Sequence, residues 1–67
     1  MSIGVLEGFS VMIESRDGTV MTLRPEAFRL VARCPSTLLL STCVERYNAR
    51  MARDGIADRA TIVPRRR

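Results

Sequence analysis

The segment Phe9-Ser10-Val11-Met12-Ile13-Glu14, then Ser15-Arg16-Asp17-Gly18, then Thr19-Val20-Met21-Thr22-Leu23-Arg24, followed by Pro25-Glu26, decides the fold. Two β-prone runs flank an Asp-Gly pair, and glycine supplies the positive φ that a tight hairpin turn needs. The reading is a β-hairpin with strands at 9–15 and 18–24. In the second strand Val20, Thr22 and Arg24 share one face and Met21 and Leu23 the other, which is expected to point inward. Pro25 has the φ of a first helical position, and Glu26 sits where the helix dipole favours an anion, so a helix starts there.

Downstream, the pattern changes from period two to period 3.6. Ala27, Leu30, Val31 and Cys34 form a stripe with Phe28 at its margin and Arg29 and Arg33 opposite, and Pro35 ends this short helix. Ser36 is placed to cap a second helix over 37–53, which Asp54-Gly55 stops. On that helix Leu40, Cys43, Val44, Tyr47 and Met51 fall within about a 100° arc, the width of a core-facing face. Arg46, Arg50 and Arg53 run beside it as a solvated rim or an anion-facing edge. After Gly55, residues 59–63 form a short β-prone run stopped by Pro64, expected as an edge strand. The fold class is α+β: one small domain over 1–64, with a basic tail at 65–67.

Charge is unevenly placed. Residues 24–53 hold six arginines against Glu26 and Glu45, whereas residues 1–23 hold only Arg16 against Glu7, Glu14 and Asp17. All eleven basic residues are arginine, whose planar donor fork suits phosphate and carboxylate. Three of them are the terminal Arg65-Arg66-Arg67. With 46% hydrophobic and 27% charged residues the composition is globular, and the segment Met1–Ser10 has no basic residue to begin a signal peptide. No apolar run approaches the ~20 residues of a bilayer span. A soluble, cytoplasmic protein without membrane contact is expected. Cys34 and Cys43 are read as free thiols acting as small buried hydrophobes in a reducing compartment.

Catalytic chemistry finds no support in the chain. There is no His, no Lys and no glycine-rich phosphate loop, and a cysteine nucleophile lacks its usual base. No metal site, cofactor or small-molecule substrate is expected.

Met21-Thr22-Leu23-Arg24-Pro25-Glu26 resembles the strand and helix start of ribbon-helix-helix DNA-binding proteins, and Ser36 through Tyr47 and Met51 to Gly55 is similar to their second helix. The resemblance covers about 35 residues and implies a dimer whose strand side chains read base edges while the second helix's start grips phosphate. Carried over, the readers are Val20, Thr22 and Arg24, with Ser36 and Thr37 on the backbone. The Asp17-Gly18 turn departs from that pattern, because it pairs the strand within its own chain. Together these readings point to a small regulator that binds duplex DNA as a homodimer through Thr22, Arg24, Arg46, Arg50, Arg53, Arg65, Arg66 and Arg67. The alternative is an inhibitor or adaptor that docks on a host protein through Leu38, Leu39, Leu40, Tyr47 and Met51 of the second helix, or through a sheet edge. The same leucines are candidates for the homodimer contact.

Overall fold

The computed structural model describes residues 6–66. Strand β1 (Leu6–Glu14) turns into β2 (Val20–Leu23), which leads directly into α1 (Pro25–Ala32); α2 (Leu40–Arg53) and β3 (Arg59–Arg66) follow. The sheet is antiparallel with order β2-β1-β3, so the first strand is central and both partners are edges. This is the expected α+β arrangement, including the edge strand at the C-terminal side.

The hairpin loop is longer than a two-residue Asp-Gly turn. Ser15 N–H donates to Thr19 O (2.8 Å), Gly18 N–H donates to Ser15 O (3.0 Å), and Thr19 N–H donates to Asp17 Oδ1 (2.9 Å). Gly18 takes φ 89°, the positive value that a three-residue hairpin loop demands at its last position. The loop centres on Asp17, and the register pairs Glu14 with Val20 and Val11 with Leu23.

Both helices lie on one face of the sheet. Val11 and Ile13 of β1 and Ala60 of β3 meet Phe28 and Ala32 of α1 and Cys43, Val44 and Tyr47 of α2 in a single core. At its centre the rings of Phe28 and Tyr47 stand edge to face, with centroids 5.3 Å apart. Such a pair adds about 0.5–1.5 kcal/mol beyond the area it buries. On α2 the expected arc is the buried arc: Cys43, Val44 and Tyr47 are buried, and Leu40 and Met51 pack against them.

On α1 the expected stripe is the wrong one. Phe28 is 0% exposed and Ala32 is buried, whereas Leu30 is 81% exposed and Val31 also faces out. An eight-residue helix can bury only a narrow strip, and the i, i+4 pair Phe28 and Ala32 puts the largest apolar side chain where Tyr47 can receive it. Met21 is corrected too: it is on the core side by register, opposite Ile13, yet 53% exposed. The helices lie over β1 and β3, and only Leu23 of β2 reaches the core.

Two boundaries also move. Ser36 is not the cap of α2, which begins at Leu40 with Leu39 in the cap position and no side-chain cap. Pro35 to Leu38 instead form a turn closed by Leu38 N–H to Pro35 O (3.2 Å). β3 does not stop at Pro64 but continues to Arg66, with Phe9 opposite Pro64 and Leu6 opposite Arg66. A bulge in β1 around Gly8, at φ 112°, accommodates the extra residue. Finally, Cys34 and Cys43 are not free thiols. They form a disulfide with a Cα–Cα distance of 5.9 Å that ties the segment after α1 to the first turn of α2. The bridge removes the ground for placing the chain in a reducing compartment.

Candidate nucleic-acid interface

The site starts from the way α1 ends. Arg33 N–H donates to Leu30 O (3.2 Å) and Cys34 N–H to Arg29 O (2.9 Å), the paired bonds of a Schellman termination. That motif needs a left-handed residue, and Arg33 supplies it with φ 56° and ψ 46°. Glycine usually takes this position, because a side chain there costs about 1 kcal/mol or more. α2 ends through the same motif with glycine in place: Gly55 N–H to Ala52 O (3.2 Å), Ile56 N–H to Met51 O (2.8 Å), and Gly55 at φ 74°.

Because the disulfide holds the end of α1 against the first turn of α2, Arg33 is brought to the arginine strip of the longer helix. Arg33, Arg46 and Arg50 line one concave notch of about 100 Å³, floored by Cys34, Cys43 and Tyr47. Arg50 is half-buried and its Nη2 donates to Ala32 O (3.3 Å), which fixes the guanidinium across the gap between the helices. Behind the floor, Arg29 Nη1 donates to Pro35 O (3.0 Å) and Cys43 Sγ (3.4 Å), so this arginine serves the fold. Among the described residues no carboxylate lines the notch. The one ion pair among them is Arg53 with Asp54, exposed and loose at 3.8 Å. Burial holds the Tyr47 phenol above its ordinary range, Asp58 raises it further, and Arg50 partly opposes both.

Arg53 continues the strip of Arg46 and Arg50 along α2, one turn beyond Arg50. Arg24 does not join it. It occupies the cap position that opens α1 while Arg33 follows its end, which places the two about 12 Å apart along an eight-residue helix. Thr22 is exposed on the side of the sheet away from the helices, together with Val20, opposite Met12 and Glu14. Ser36 and Thr37 sit in the turn ahead of α2 rather than at its first amides. Arg65 and Arg66 belong to β3 by backbone; their side chains, and Arg67 altogether, lie outside the described residues.

The apolar candidates divide. Tyr47 is buried, and Leu38, Leu40 and Met51 pack on the core, while Leu39 remains 73% exposed. At the hairpin turn a shallow patch lined by Ser15, Arg16, Asp17, Thr19 and Asp58 carries mixed charge. No group of His, Cys, Asp and Glu among the described residues could hold a metal ion, and no described helix is long and apolar enough to cross a membrane.

Arg33 is the site residue that sequence periodicity misses, since helical spacing alone puts it on the solvent side of α1. The signal for it is Pro35: a proline two residues on marks the helix end and puts Arg33 in the left-handed position. Comparison with protein-family models, with curated proteins and with solved structures finds no match to this chain.

Proposed function

We propose that this chain is a non-enzymatic regulator that binds duplex DNA as a homodimer. The observation supporting the reading is the convergence of Arg33, Arg46 and Arg50 on one notch without a carboxylate, extended along α2 by Arg53. Three guanidiniums left without an acid attract a polyanion, and each phosphate they neutralise releases condensed counterions. Thr22 and Arg24, on a separate surface, are the candidates for contact with base edges. The test is fluorescence anisotropy of a labelled duplex over a salt series. Replacing Arg46 and Arg50 by Gln should flatten the slope of log K against log salt by about 0.9 for each phosphate no longer neutralised. A slope unchanged by the double substitution counts against the reading.

A DNA partner places the working protein in the cytoplasm, where the disulfide must withstand cellular thiols. Cys43, 1% exposed, is closed to direct attack, and half-buried Cys34 is the sulfur a reductant would reach.

The exposure of Leu30, Val31 and Leu39 supports a second reading, docking on a host protein. Its distinguishing result is a partner retained after nuclease treatment and lost on Leu30→Glu or Leu39→Glu, with no DNA retardation at low salt.

A further inference from the structure

We propose that the notch between the end of α1 and the first turns of α2 is a site for a single phosphate group, bound by Arg33, Arg46 and Arg50. The inference deepens the DNA reading and rests on it for the source of the phosphate, but its geometry stands on separate observations.

The first is size. The notch is small and concave, about 100 Å³, and its mouth, bordered by Arg33, Arg46 and Arg50, gives room for one tetrahedral oxyanion. The second is charge. Three of the lining residues carry guanidinium groups and none is acidic, so the lining can compensate a monoanionic diester or a dianionic monoester without expelling a competing carboxylate. The third is preorganisation. The bond from Arg50 to Ala32 O, the disulfide floor, and Arg29 bridging Pro35 O and Cys43 Sγ hold the two walls at a fixed separation before any ligand arrives.

The fourth observation is backbone strain. Arg33 stands where α2 uses glycine for the identical turn, and it is the only non-glycine residue with positive φ among those described. A side chain kept at the expense of stability, and lining an arginine-rich notch, has a use outside the fold.

Fixed walls, a small volume and three forked donors suit the three or fewer free oxygens of one phosphate. A carboxylate holds its oxygens in one plane, whereas those of a phosphate are disposed tetrahedrally and reach donors on both walls. The phosphodiester backbone and a terminal phosphomonoester both present this chemistry, and the test separates them.

The experiment is a titration of the intact, oxidised protein with inorganic phosphate, followed by NMR at the arginine Nε–H groups and the amides of residues 32–34 and 36. Shifts should concentrate on Arg33, Arg46 and Arg50. Arg50→Gln should weaken phosphate binding by roughly tenfold, the worth of one charge-assisted contact. Arg33→Gly is the decisive variant, because it relieves the left-handed strain: it should raise the melting temperature and still weaken phosphate binding by roughly the same factor. Loss of binding then cannot be a loss of fold. Shifts elsewhere on the surface, or undiminished binding in Arg33→Gly, overturn the proposal.

Duplexes with 5′-hydroxyl and 5′-phosphate ends complete the series. Equal affinity, weakened by Arg33→Gly, assigns the notch to a backbone diester. Preference for the phosphorylated end assigns it to a monoester. Phosphate binding at the notch with no duplex binding at low salt upholds the site and removes the DNA reading.

Discussion

Among the described residues, Asn48 makes the one side-chain hydrogen-bonded connection between α2 and β3. Its Nδ2 donates to Ala60 O (2.9 Å) and its Oδ1 accepts from Ala60 N–H (2.7 Å), so the backbone of Ala60 is satisfied by an amide side chain and not by the strand ladder. Nothing in the periodicity of α2 singles out Asn48, because the pairing depends on where β3 returns in space. Asn48→Ala leaves a largely buried N–H and C=O without partners and should cost about 1–3 kcal/mol, read from urea unfolding. Asp17 is a residue of the opposite kind, local and exposed. Hydrogen bonding from Thr19, by its hydroxyl first and its backbone N–H second, holds the Asp17 carboxyl below the ordinary range. A depressed folded pKa means the turn is supported above the unfolded value and loses that support as pH falls through the folded one. Protection factors of the hairpin amides, taken relative to intrinsic exchange at each pH, should therefore fall at acid pH, and Asp17→Asn, which keeps the acceptor without the charge, should remove that fall.

At the level of elements, the strands and α2 were legible because each has a pattern that packing obeys. The hairpin follows from its two β-prone runs, though of the pair expected inward on β2 only Leu23 reaches the core, and five residues of α2 share one arc. The bounds of α1 were legible from Pro25 and Pro35, but its buried face was not, because two apolar strips compete on eight residues and only the position of Tyr47 decides between them. The test is direct. Phe28→Ala should cost about 3–5 kcal/mol as a core truncation, whereas Leu30→Ala should fall within about 0.5 kcal/mol of zero. The notch was half legible: the strip of Arg46, Arg50 and Arg53 follows from helical spacing, but Arg33 joins it only because α1 ends in a turn and the disulfide folds that turn back. The free-thiol reading failed because the spacing of Cys34 and Cys43 does not show that the turn after α1 brings them within bonding distance. Reduction should lower stability by about 2–3 kcal/mol, the loop-closure worth of a bridge across so few residues, measured as a shift in the denaturant midpoint with and without dithiol.

The whole molecule is one sheet and one helix layer, with principal extents of 45 × 29 × 15 Å. A layer this thin leaves both sheet edges open to a partner, but they are not equivalent. Along the part of β3 that pairs with residues 9–14 of β1, the outward backbone groups belong to residues 60, 62 and 64, since Ala60 bonds to Asn48 on that side. The first of these is occupied by Asn48 and the last is a proline with no N–H to offer. On β2 the outward groups are those of Val20 and Thr22, uncharged and unprotected, with Val20 and Met21 half exposed beside them. Pairing of the chain with itself is expected along β2, not through Leu38 and Leu40, which the core already uses. Sedimentation at micromolar concentration should give about 15 kDa, twice the 7.5 kDa chain, and Thr22→Pro should return it to a monomer. A monomer of the unsubstituted chain would refute this.

The inequality of the two edges also decides how far association can go. Strand β2 meeting β2 of a second copy is a two-fold contact that uses both free edges and leaves none, so growth ends at two. Strand β2 meeting β3 of a second copy would repeat without limit and produce a fibre. The Asn48 side chain and the ring of Pro64 stand against that second geometry, so the same bonds that fasten β3 to α2 also keep a sheet with an open edge from polymerising. Removing both guards at once, with Asn48→Ala and Pro64→Thr, converts a finite assembly into an open one, seen as thioflavin-positive growth from a protein whose β2 edge has not changed.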